Sequence, residues 1–215
     1  MRISAAIMAS PQRKEHAEAL YHKLKAMPFT SLILMYDDGN GEWATGEAAL
    51  RHYDGSATHQ IVLQDDAIIG KHFYANVVKS LTALPTQSLL SLYLGKSRPY
   101  ADKVKTAFNI ATITGSSFIS TPALLWGVGF VIPTKDILPM LEYTKQYRSS
   151  LYDTRIGLYY RDMGQPVYYT TTSLINHNDS LPSLMQHDKP NTEPRVAHHY
   201  IGDEKLSFNS LVQPL

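Results

Sequence analysis

The sequence predicts an α/β domain built on a mixed, mainly parallel sheet with helices on its faces. Two observations carry this. Residues 3–66 alternate short apolar runs with amphipathic stretches in the order strand, helix, strand, helix, strand. That order gives parallel strands joined by right-handed crossovers. Turn-forming and charged residues also gather at the ends of those runs, at residues 10–13, at Asp37-Asp38 and at Asp65-Asp66. Strand ends of this kind line the ligand crevice of an open α/β sheet.

Each element has its own signal. Residues 3–8 form an apolar run that Ser10-Pro11 ends, and Ala17, Leu20, Tyr21 and Leu24 recur at helical spacing within residues 12–25. Residues 31–36 read as a second strand, stopped by the turn cluster Asp37-Asp38-Gly39-Asn40-Gly41. A helix is expected from Gly46 to about His52, then a buried strand at residues 60–63. Residues 72–84 place Phe73, Val77, Leu81 and Leu84 on one helical face. Residues 88–94, 115–119 and 126–132 read as strands, the last ended by Pro133, with Thr134 capping a helix through Leu138 and Leu141. Another helix is expected at 153–162 and a late strand at 167–170. The chain then turns polar and Pro-rich, so the expected division is a domain at 1–180 and a tail or lid at 181–215 with little regular structure.

Composition narrows the class. With 215 residues, 44% of them apolar and 18% charged, the chain suits one substantial core. Its 14 tyrosines are flat apolar bodies with a polar tip, suited to packing on sugar or base rings or to the core edge. A formal charge of +1 gives no global basic field for nucleic acid. A local patch at Lys96, Arg98, Lys103 and Lys105 suits either a phosphate backbone or a solvated helix face. The absence of cysteine excludes disulfides, thiolate catalysis and Cys-ligated zinc. The opening apolar run is short for a signal peptide, and no stretch approaches the roughly 20 apolar residues that span a bilayer. A soluble, cytoplasmic protein is expected.

The paired acids carry the most chemistry. Asp65 and Asp66 close a buried strand, where their mutual repulsion would be relieved by a cation. Oxygen ligation of that kind suits Mg²⁺ or Mn²⁺ and leaves positions for diphosphate oxygens. The same pair could serve as plain turn or cap residues. Asp37 stands where a ribose or base would be read, or simply forms its turn. Arg13 could neutralise phosphate or open the first helix as a surface residue.

Several stretches, taken in order, resemble a known family. They are Trp43-Ala44-Thr45-Gly46, residues 59–67, Ser91-Leu92-Tyr93-Leu94-Gly95, Trp126-Gly127-Val128-Gly129, Asp153-Thr154-Arg155-Ile156-Gly157, residues 166–177 and Arg195-Val196-Ala197-His198. Together they resemble nucleotide-sugar glycosyltransferases of the GT-A fold, most closely the small ones encoded by bacteriophages. The resemblance implies a single GT-A-like, Rossmann-type domain and a metal-dependent transferase. Asp66 matches the final Asp of the family's Asp-x-Asp metal motif, while Gln64 stands where the first Asp would be and lowers the local charge. His177 is the implied second metal ligand, and its imidazole favours Mn²⁺ over Mg²⁺; a histidine bonded to backbone is the alternative. The implied donor-binding set is Ser10, Arg13, Asp37, Trp43, Gly46, Gln64, Asp65, Trp126 and Gly127. Asp153 and Arg155 are the implied catalytic residues, Asp153 as the base for the acceptor hydroxyl in an inverting reaction or as a positioning group in a retaining one. A helix cap is the alternative for Asp153.

The expected reaction moves a sugar from a UDP-sugar to a hydroxyl, foremost on a hydroxymethylated pyrimidine in phage DNA, with a cell-surface glycan or protein as the second choice. Two other classes stand beside it. A nucleotidyl- or phosphoryl-transferring enzyme would want a Gly-rich phosphate loop or a third close acid, and the chain carries neither. A non-catalytic nucleotide-sugar-binding module would tolerate Gln64.

Overall fold

The computed structural model describes residues 1–97, 100–147, 151–184 and 194–215. Strands β1 (Ile3–Ala9) and β3 (His59–Gln64) run parallel with Met8 opposite Gln64, and β2 (Leu32–Tyr36) lies parallel on the other side of β1. Every residue of β1 is buried because both of its faces are covered. Ile3, Ala5 and Ile7 enter one core cluster while Ala6 and Met8 enter another, the two-residue alternation of a strand. Helix α1 (Lys14–Lys25) adds Leu20 and Leu24 to the first cluster; α2 (Glu42–Arg51) adds Ala49 and Leu50 to the second.

The same sorting continues along the chain. Helix α3 (Phe73–Ala83) shares the α1 face through Phe73, Val77 and Leu81. Helices α4 (Ala101–Thr114), α5 (Thr134–Thr144) and α6 (Tyr152–Asp162) share the α2 face. Besides the short β4 (Ala67–Ile69), the later strands are β5 (Leu90–Ser91), β6 (Phe118–Thr121), β7 (Gly129–Pro133), β8 (Val167–Thr170), β9 (Ile175–His177) and β10 (Val212–Pro214). Among the described residues the main sheet has eight strands, in the order β10-β6-β8-β5-β7-β3-β1-β2. The pairs β1–β2, β1–β3, β5–β8 and β6–β10 are parallel, whereas β3–β7, β5–β7 and β6–β8 are antiparallel. The fold is therefore the mixed, mainly parallel α/β sheet with helices on both faces.

Several expected boundaries move. The helix expected from Gly46 begins at Glu42, immediately after Gly41 at φ +89. The strand expected at 115–119 becomes β6, because Gly115 ends α4 in the left-handed region at φ +68. Residues 126–128 precede β7 rather than belonging to it. Thr134 is the first helical residue of α5, not its cap, and its hydroxyl donates to the Ala57 carbonyl at 2.8 Å. Lys103 and Lys105 lie on α4, an element absent from the expected order, and Arg98 lies outside the described residues.

The tail joins the rest through backbone contacts. Lys71 N donates to Asp203 Oδ1 at 2.8 Å, Asn76 Nδ2 to the Glu204 carbonyl at 2.9 Å, and Leu206 N to Asn76 Oδ1 at 3.0 Å. Phe208 stacks on Phe118 with ring centroids 5.9 Å apart, and β10 then pairs with β6 at the sheet edge. An edge position is where Pro214 costs no ladder bond. Among the described residues no helix is long and apolar enough to cross a membrane.

Candidate active site

The acids of the β3 end are met by the turn that follows β1. Ser10 caps a 3-10 turn, Pro11–Arg13, accepting from Gln12 N at 3.3 Å, with Pro11 suited to the first turn position. The turn brings Arg13 back over the strand ends. Its Nη1 donates to Asp65 Oδ1 at 2.9 Å and to Asp66 Oδ2 at 2.5 Å. Ser10 N donates to Asp65 Oδ2 at 2.8 Å. On the far side β4 and β9 pair antiparallel, with Ala67 opposite His177, and this sets His177 Nε2 3.1 Å from Asp66 Oδ2. Asp65, Asp66 and His177 are 6%, 5% and 6% exposed.

Burial pulls both carboxyls upward, but they separate. Asp65 stays raised, its upward shift from burial reinforced by the charge of Asp66 and only partly offset by Ser10 N–H and Arg13. For Asp66 the burial effect is outweighed by His177 and Arg13, which hold it below the usual carboxylate range. Asp66 is thus the acid kept ionised. Its Oδ1, together with His177 Nδ1 and Arg13 Nε, is buried without a hydrogen-bond partner among the described residues. Such atoms are costly unless something fills their valence.

Asp66 and His177 are the two groups of the expected metal pair, and they meet through Oδ2 and Nε2, which turns His177 Nδ1 away from Asp66. Asp65 is committed to Ser10 and Arg13. Among the described residues no group of three or more His, Cys, Asp or Glu side chains could hold a metal ion.

A second acidic group forms where α2 meets α6. Asp153, in the first turn of α6, accepts from Thr154 N at 2.6 Å and from the Gly127 amide. Burial raises it above its ordinary value. Glu42, at the start of α2, is pushed up to about 7 by burial and by the charge of Asp153. Arg155 lies over Trp43, its Cζ 4.3 Å from the ring centroid. Between the two acidic groups stands the fully buried Tyr152, whose hydroxyl donates to the Gly127 carbonyl. Burial raises that hydroxyl, and so do the charges of Glu42, Asp153 and Asp66.

The structure brings Ser10, Arg13, Asp65, Asp66 and His177 into one hydrogen-bonded cluster. Gln64 ends β3 beside it, its amide donating to the Val128 carbonyl at 2.9 Å. Trp43, Asp153, Arg155 and Gly127 collect around Tyr152. Two glycines of the expected donor-binding set pack closely on Tyr152. A Cβ on Gly46 would lie 3.2 Å from Tyr152, and one on Gly127 would lie 2.7 Å from the Tyr152 ring. Trp126 packs edge-on to Tyr93, Tyr100 and Tyr169. Asp37 Oδ1 accepts from Gly39 N at 3.0 Å and Gly41 N at 3.2 Å, so the turn role accounts for that oxygen. Glu42 and Tyr152 escaped sequence reading. The only signal was an acid after Gly41 and a tyrosine before Asp153, each of which reads as an ordinary helix start.

No family model matches the chain, and no curated protein matches it in sequence. Solved structures similar to it include two of Drosophila β-1,4-galactosyltransferase 7. One, of the catalytic domain with xylobiose, is 13% identical, covers 90% of this chain and 76% of that chain, and has a TM-score of 0.49. The other, a point mutant in complex with manganese, UDP-Gal and xylobiose, is 12% identical over 88% and 75% with a TM-score of 0.46. Mannose-1-phosphate geranyltransferase from Thermus thermophilus is 12% identical over 79% and 74%, with a TM-score of 0.41. Likeness at this level carries no argument for activity.

Proposed function

We propose that this chain is a glycosyltransferase that moves a sugar from a nucleoside-diphosphate donor, a UDP-sugar in the first instance, to an acceptor hydroxyl. Mn²⁺ or Mg²⁺ would be held by Asp66 and His177. The observation that carries this reading is the buried cluster of Arg13, Asp65, Asp66 and His177 at the β1 and β3 ends. When bound there, the cation supplies positive charge to the departing diphosphate.

The chain's own residues have distinct parts. Asp66 and His177 would hold the cation, and Asp65 keeps Ser10 and Arg13 in place. Trp43, Gln64, Trp126 and Asp37 would serve as donor contacts. Asp153, its carboxylate fixed by the Gly127 and Thr154 amides, takes the acceptor proton or positions the acceptor, with Arg155 beside it. Neither the site nor the exposed Lys96, Lys103 and Lys105 favours DNA over a glycan or protein, so the acceptor is named only as a hydroxyl.

The test is donor hydrolysis across a panel of nucleotide sugars with Mn²⁺, repeated with hydroxymethylated DNA, glycan and protein acceptors. Nucleoside diphosphate should be released from at least one donor. Asp66→Ala should lower turnover at least ~100-fold, the scale of losing one electrostatic stabiliser, with the far-UV CD spectrum unchanged. Near-normal turnover in that variant would refute the assignment, and no release from any donor would favour a binding module.

A further inference from the structure

The proposed reaction leaves one half-buried acid unused. Helices α2 and α6 start side by side: a Cβ on Gly46 would lie 3.2 Å from Tyr152, and Arg155 Cζ lies 4.3 Å from the Trp43 ring centroid. Glu42 opens α2 next to Trp43, and Asp153 lies in the first turn of α6 next to Tyr152. The two acids are occupied differently. Asp153 Oδ1 accepts from Thr154 N at 2.6 Å and from Thr154 Oγ1 at 3.3 Å, and the carboxylate also accepts from the Gly127 amide. Glu42 has no hydrogen-bond or ion-pair partner among the described residues, and its oxygens keep contact with solvent.

We propose that Glu42 is the base that takes the proton of the acceptor hydroxyl, and that Asp153 positions the acceptor. This rests on the reading of the chain as a glycosyltransferase. Lone pairs tied to amides make a carboxylate a weaker base, whereas an untied one beside a fixed negative charge is a stronger one. Burial and the charge of Asp153 push Glu42 up to about 7, the range that suits a base working near neutral pH. The strands under α2 bring Tyr36 and His59 as their titratable side chains, and the start of α6 brings Tyr152 and Arg155. The turn before α2 brings Asp37, and α5 brings the buried Asp136, bonded to Tyr160. The charge that raises Glu42 is that of Asp153. The Tyr152 hydroxyl is raised by Glu42, Asp153 and Asp66 alike, so the acid pair and the proposed diphosphate end border one side chain. As the acceptor oxygen bonds to the anomeric carbon, the bond from that carbon to the diphosphate oxygen breaks. Its electron pair leaves with the diphosphate, and the acceptor's proton passes to a Glu42 oxygen. Solvent then takes the proton from the neutral acid.

The test compares wild type with Glu42→Gln and Asp153→Asn on the donor and acceptor that support transfer. Wild-type kcat should rise with pH through a midpoint of about 7, as Glu42 loses its proton. Glu42→Gln should lower kcat at least ~100-fold, the lower end of general-base contributions, and lose that rise, with acceptor KM and calorimetric UDP binding little changed. Asp153→Asn should raise acceptor KM and move the midpoint down, because a negative neighbour is gone. Unchanged kcat in Glu42→Gln, or a loss with the pH rise intact, overturns the assignment and leaves the transferase reading standing. Absence of transfer by wild type with every donor and acceptor overturns both. Should Glu42→Gln not fold, Glu42→Asp, which sets the carboxyl back by one methylene, is the second variant: kcat should fall while the pH rise stays, and wild-type kcat overturns the proposal.

Discussion

Individual side chains at the two acidic groups are held in opposite ways. Asp66 is kept ionised by His177 and Arg13, whereas Glu42 is pushed up to about 7 by burial and by Asp153. A carboxyl raised from 4.5 in the unfolded chain to about 7 in the folded one binds its proton better when folded. Its contribution to stability is complete below 4.5 and is lost as pH rises through 7. Glu42→Gln, which stays neutral, should therefore flatten the decline in stability between those limits. Denaturant midpoints from pH 4.5 to 8 check this; parallel wild-type and variant profiles would show that Glu42 titrates normally. In the sequence Asp65 and Asp66 stand out by their place at a strand end, whereas His177 was implied only by the family resemblance. The sequence did not announce Glu42, because its altered environment comes from Asp153, more than a hundred residues further along the chain.

At the level of elements, α2 and α6 meet through Tyr152, and the loop before β7 closes over its ring. Gly127→Ala would drive a Cβ to within 2.7 Å of that fully buried ring. The expected cost is about 1–3 kcal/mol, the usual range for overpacking. In a Tyr152→Leu background the cost should shrink, since touching residues couple. Additive losses in a double-mutant cycle would place Gly127 away from Tyr152. The elements read from sequence were β1, α1, β2, β3, α3, β7, α5, α6 and β8, with α2, β5 and β6 placed at shifted bounds. Helix α4 was hidden by its composition. Its buried stripe is only Val104, Ala107 and Ala111, and Thr106, Thr112 and Thr114 return their hydroxyls to carbonyls four residues back. The three-residue strands β4, β9 and β10 are too short to show any alternation.

For the molecule as a whole, the β1–β3 pair sets the site and the tail fastens the opposite edge of the sheet. The parallel opening was legible because each strand is followed by an amphipathic stretch. The antiparallel insertion of β7 between β3 and β5 was not, because local pattern carries no information on which distant strand will pair. The tail likewise looked irregular because its apolar anchors, Ala197, Ile201, Leu206, Phe208 and Val212, follow no helical or strand period, and backbone and polar bonds supply the rest. Gly70 is its tightest junction, since a Cβ there would collide with the Gly202 carbonyl. A backbone atom cannot rotate away, so Gly70→Ala should cost more than about 3 kcal/mol, above the ordinary overpacking range. It should also expose residues 203–215 to limited proteolysis; a stable, protease-resistant variant would contradict that docking. The central claim is a cation between Asp66 and His177 beneath a donor diphosphate. Crystals soaked with UDP and Mn²⁺ test it most directly, read at the manganese anomalous edge. An anomalous peak within bonding distance of both side chains and of the diphosphate is the expected result. Diphosphate bound elsewhere, or a manganese peak away from Asp66 and His177, would contradict it.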